Sequence, residues 1–228
     1  MGLYVLTLKS IRRLLHILPA LILAAGMGGC VTGKVLTLPE GPTRPSSSSA
    51  MTKTKGSAPS VAVLDFAWEM NPSSEIGRDY DHVRSIAWEG NPGKAMADLV
   101  AAVLSEKGIS AVRAAGESGM PPDVPSKVWG RVETFRVDVK RSRMVTVDIE
   151  AVSVVKIHGS GPGAPAGWNT SVSYTSGYTE PMFVTADDVL RAVNRAANTV
   201  AEEGVRRLME AGVVPAPAAA ETGKTDGK

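Results

Sequence analysis

Met144-Val145-Thr146-Val147-Asp148-Ile149-Glu150-Ala151-Val152-Ser153-Val154-Val155-Lys156-Ile157-His158 is the stretch whose reading decides the fold. Val145, Val147, Ile149, Ala151, Val155 and Ile157 share one parity, while Asp148, Glu150, Lys156 and His158 take the other. An alternation of period two over so many residues is the mark of a long strand with one buried face. Upstream, Lys127 to Lys140 carries Val128 and Val132 on one parity and Phe135, Val137 and Val139 on the other. That flip predicts a bulge near Glu133 or Thr134, since one extra residue exchanges the faces of everything beyond it. Arg141-Ser142-Arg143 reads as the connection. It brings both apolar sets to one side only if Val137 faces Val147 and Phe135 faces Ile149, which sets Arg136 across from Asp148 on the wet face.

On the other flank, Gly159 to Gly167 reads as a loose hairpin loop leading to a third strand. There Trp168, Thr170, Val172, Tyr174 and Tyr178 alternate with Asn169, Ser171, Ser173 and Thr175. Thr185 and Asp188 then form a capping box with aspartate in place of glutamate. They open a helix striped by Val189, Val193, Ala197, Val200 and Leu208 and closed at Gly212, about 39 Å long at about 1.5 Å per residue. Towards the amino terminus, Val61 to Phe66 is a short buried strand. Asn91 and Pro92 start a helix with Met96, Leu99, Val100, Val103 and Leu104 on one stripe and Gly108 at its end. Ile109 to Val112 follows as a further strand, then a Gly/Pro-rich loop from Gly116 to Pro125. Before that helix, Ala67-Trp68-Glu69-Met70-Asn71-Pro72 recurs as Ala87-Trp88-Glu89-Gly90-Asn91-Pro92, which suggests two loops of similar turn geometry.

The sum is an α+β fold: a two-layer domain whose mainly antiparallel sheet carries two amphipathic helices on one face. Its expected limits are residues 61–212, long enough at 152 residues to bury about two-thirds of the unfolded surface. Residues 30–60, rich in Pro, Ser, Thr, Gly and Lys, read as a disordered tether with an r.m.s. reach of about 30 Å. Residues 213–228 read as a disordered tail, and residues 1–29 as a signal peptide.

The precursor holds 25 basic and 23 acidic side chains, and three of the basic ones (Lys9, Arg12, Arg13) leave with the signal. A nearly neutral chain with no basic cluster is not built for nucleic acid. Gly159-Ser160-Gly161-Pro162-Gly163 is no phosphate cradle, because it joins two strands and Pro162 removes a donor. Asp79-Tyr80-Asp81-His82 lacks a second cluster at ligand spacing, so no metal is expected, and no cofactor fingerprint or nucleophile elbow is present. Asp148 and Glu150 share a hydrated strand face with basic partners and read as structural, not as an acid/base pair. No catalytic residue emerges. Partner contact is left to four side chains. Trp68 and Trp88 either pin their loops to the core, the favoured reading, or anchor a partner, and Arg141 and Arg143 offer forks for carboxylate or phosphate.

Lys9, Arg12 and Arg13 precede the apolar run Leu14 to Met27, the layout of a secretory signal. Met27-Gly28-Gly29-Cys30 resembles a lipobox, and Cys30 is the only cysteine. That resemblance implies cleavage after Gly29, diacylglyceryl attachment to the Cys30 sulfur and acylation of its amine, palmitate being the typical chain. Val31, where an aspartate would resemble an inner-membrane retention mark, implies the outer membrane. Behind the lipobox, Leu99 to Val112, Val128 to Ile157, Tyr174 and Ala192-Val193-Asn194 resemble the order of elements in the YajG-like lipoproteins. PqiC-like and LptE-like auxiliary lipoproteins are similar. The resemblance implies a non-enzymatic accessory or binding module on the periplasmic face of the outer membrane. Its alternative is an auxiliary subunit of an ABC-type lipid or lipopolysaccharide transport system. Membrane attachment through the lipid on Cys30 and an envelope protein or lipid partner are the expected associations.

Overall fold

The computed structural model describes residues 35–38, 42, 59–68, 75–79, 84–181 and 184–215. The long hairpin is its spine. β7 (Ser126–Arg143) and β8 (Thr146–Gly161) run antiparallel along their whole lengths, and β9 (Ala164–Pro181) continues the meander beyond β8. The free edge of β7 is shared end to end by three short parallel strands. These are β2 (Val61–Leu64), β3 (Ala67–Trp68) and β4 (Glu75–Arg78). β6 (Ala111–Ala114) pairs outside β2, β5 (Ser85–Trp88) outside β4, and β1 (Val35–Leu38) outside β5.

Helices α1 (Pro92–Glu106) and α2 (Ala186–Glu210) pack on one face of this sheet and against each other. Their ends follow the local chemistry. Asn91 accepts from the amides of Gly93 and Lys94, Pro92 takes the first turn, and Gly108 leaves α1 at φ +76°. Thr185 and Asp188 cap α2 reciprocally. The apolar stripe of α2, including Val189, Val193, Ala197, Val200 and Leu208, is buried against β8 and β9. That helix also touches β1, five strand positions away from β9 along the sheet. Five spacings of about 4.8 Å come to about 24 Å, twice the width of a helix. The sheet therefore curls around α2. Gly204 fits this closeness: a Cβ there would lie 2.3 Å from Cδ1 of Ile157.

The expected fold class stands, and the bulge falls at Glu133, where the β7–β8 register shifts between Val132 and Thr134. Several readings change. The hairpin turns at Met144–Val145 and not at Arg141–Arg143, so Val137 faces Ala151, Phe135 faces Ser153 and Arg136 faces Val152. The offset is four residues, an even number, so every side chain keeps its face. Arg136 pairs instead with Asp138 at 3.0 Å, and Asp148 accepts from the Thr179 hydroxyl at 2.8 Å. The loose loop of Gly159 to Gly167 is a two-residue turn at Pro162–Gly163, because both strands extend.

The domain is also longer at each end than residues 61–212. Within the stretch read as tether, Val35–Leu38 is a strand, and Leu38 is buried in the core. It satisfies the outer backbone edge of β5, which would otherwise be left unpaired. Within the stretch read as tail, Val213 and Val214 are buried, and Ser126 donates its hydroxyl to the Val213 carbonyl at 2.8 Å. The strand read at Ile109 to Val112 begins instead at Ala111, with Ile109 buried just ahead of it.

Candidate interaction surface

Cys30 and Gly29 lie outside the described residues. Of the two tryptophans read as pins or anchors, Trp88 sits in the core at 2% exposure, its ring 4.8 Å from that of Phe135. Its burial there fits the pinning reading. Trp68 is half-buried at the short β3 pairing and packs against the same core. The two indoles do not form one exposed patch.

Arg141 and Arg143 stand at the other extreme. From Lys140 to Val145 every residue is exposed, whereas Val139 and Val147 just below are buried. The hairpin thus projects beyond the core as a six-residue tip: Lys140, Arg141, Ser142, Arg143, Met144 and Val145. It carries three cations and no acid, and Asp148 is the carboxylate in register with Lys140. At its apex Met144 is 90% and Val145 69% exposed, large apolar side chains with no core to cover them. Sequence reading found the arginines but missed this pair. Val145 had joined the buried parity, and neither residue carries the Gly, Asn or Asp that marks a tight turn.

A second feature lies at the far end of the sheet. Trp129 and His158 stack on the solvent face at 5.7 Å between ring centres, with Lys127 over the indole at 4.6 Å. Partial burial, and then the charges of Lys156 and Arg131, hold the His158 imidazole below its ordinary pKa. Lys127 is itself engaged with Glu117 at 2.5 Å. The stack is therefore a neutral ring in a basic surrounding. Between the helices an open depression of about 520 Å³ is lined by Val103, Glu106, Lys107, Thr199, Glu202 and Arg206. Glu203, also in its lining, is pushed down to about 2 by hydrogen bonds from Arg206 and Arg207, the signature of surface ion pairs.

Asp79, from the Asp79-Tyr80-Asp81-His82 run, is buried and bonded to the Arg84 guanidinium at 2.8 Å. Tyr80, Asp81 and His82 lie outside the described residues. Among the described residues no three His, Cys, Asp or Glu side chains come together as a metal set. None of the described helices is long and apolar enough to cross a membrane.

No family model and no curated protein matches the sequence. Among solved structures, the chain is similar to a Xanthomonas campestris protein of the family DUF330, with TM-score 0.48 and 16% identity over 76% of this chain and 96% of that one. A minor lipoprotein from Acinetobacter baumannii gives TM-score 0.38 and 9% identity over 68% and 96%. The PelC dodecamer from Paraburkholderia phytofirmans gives 0.35 and 17% over 64% and 84%.

Proposed function

We propose that the chain is a lipid-anchored envelope lipoprotein of the YajG-like kind, facing the periplasm from the outer membrane and acting as a non-enzymatic accessory or binding module. The observation that carries this reading is Cys30, the single cysteine, standing directly after Met27-Gly28-Gly29 and a charged-then-apolar leader. An acylated cysteine holds firmly because each buried methylene contributes about 0.8 kcal/mol and several chains act together. The domain behind it needs no disulfide, since it has one continuous core from Leu38 to Val214.

Labelled palmitate tests the anchor. It enters the wild-type chain and not Cys30→Ser, and the variant leaves the outer-membrane fraction on a density gradient. Equal labelling of the two proteins, or banding with the inner membrane, removes the corresponding part of the reading.

A further inference from the structure

We propose that the β7–β8 tip is a second membrane contact, resting on the same leaflet that holds the lipid of Cys30. The inference builds on lipid attachment at Cys30 and adds how the domain is oriented.

Three observations combine. The first is directional. β4 runs parallel to β7, with Arg78 level with Asp138, and β5 runs back from Ser85 beside Arg78. β1 lies parallel to β5, with Val35 level with Ser85. The chain therefore enters the sheet from the end at which the hairpin tip projects. The second is length. Cys30 precedes Val35 by five residues, which span at most about 17 Å. Met144 stands six residues beyond Asp138 on β7's line, about 20 Å of strand. An anchor held by so short a lead, three strands from β7, brings the tip end to the bilayer and not the opposite end, where Gly163 meets Gly212.

The third is chemistry. Met144 and Val145 are exposed large apolar residues, and Lys140, Arg141 and Arg143 flank them. Apolar side chains at an apex with cations just behind suit the boundary between acyl chains and anionic head groups. A soluble protein partner would leave the coincidence with the anchor unexplained.

The lipidated chain has no free thiol, so Val145→Cys introduces a single labelling site at the tip. Ser173→Cys, on the exposed face of β9, is the control. Each labelled lipoprotein is reconstituted in phosphatidylethanolamine vesicles containing phosphatidylglycerol and bilayer-located quenchers. Quenching is expected at position 145 and not at 173. It should fall roughly tenfold or more when Arg141 and Arg143 are both alanine, since each cation adds its own attraction to the surface. Equal, weak quenching at both positions in protein of lipidated mass overturns the tip contact alone. A free Cys30 thiol and unlipidated mass, seen before any vesicle is added, overturns the anchor and this inference with it.

Discussion

Trp88 shows what one side chain contributes. Its ring fills the core beside Phe135, yet its indole nitrogen is buried without an acceptor. Volume and polarity therefore pull in opposite directions. Trp88→Ala should cost about 3–5 kcal/mol through the cavity it leaves. Trp88→Phe keeps most of the packing and removes an orphan donor whose burial costs about 1–3 kcal/mol, so it should lose far less. Urea unfolding of both variants checks the difference, and equal losses would mean that the nitrogen is bonded after all. The pinning role was legible in the sequence, because a tryptophan in a chain with three phenylalanines has few alternatives for the centre of a core. The missing acceptor was not, since it depends on β1, β4 and β5 meeting.

At the scale of elements, features governed by near neighbours were legible and those governed by distant ones were not. Both helix starts were written in Asn91-Pro92 and Thr185-Asp188, because a cap is a bond across three residues. The faces of β7 and β8 and the bulge at Glu133 followed from parity alone. The register did not: a slip of four residues preserves every face, so parity cannot detect it. β1 was hidden for a different reason. Four residues of strand pair with β5, some fifty residues away, and composition around them speaks only for the segment as a whole. The same division runs through the candidate surface, where the arginines were visible and the apex was not.

The α2 stripe gives the test at this scale. Val193 is 1% exposed beneath the curled sheet, so Val193→Asp buries an unpaired charge at a cost of several kcal/mol, against a total stability of about 5–15 kcal/mol. The variant should be unfolded or rapidly proteolysed. Arg191→Ala, which removes a surface pair with Glu180, should melt close to wild type. Similar melting of the two would mean that α2 is not the lid of the core.

For the whole molecule, acid acts first on His158 and later on Glu203, alongside Glu117 and Asp188, whose carboxyls are also held below the usual range by Lys127 and by Thr185. The folded pKa of His158 lies below its ordinary 6.5, so the unfolded chain takes up its proton first. Stability from this group is complete above about pH 6.5 and declines as pH falls towards the folded value. Glu203, pushed from 4.5 to about 2, contributes stability above about pH 4.5 that disappears between there and about pH 2. Both groups are partly solvated, so each effect is small. Melting temperature against pH should show a shallow early decline followed by a second one below about pH 4.5. His158→Asn should remove the first and leave the second. A variant that retains the early decline would assign it to another group.

The placement of β1 also decides how the domain bears load. Force arriving through residue 34 acts along the axis of β1, and residue 215 leaves from the other end of the sheet, past the Ser126–Val213 bond. Tension between the two ends therefore shears the β1–β5 hydrogen bonds together and does not peel them one at a time. The first pairing that this load crosses is the four-residue ladder at the rim, before it passes through β5 and β4 to the long hairpin.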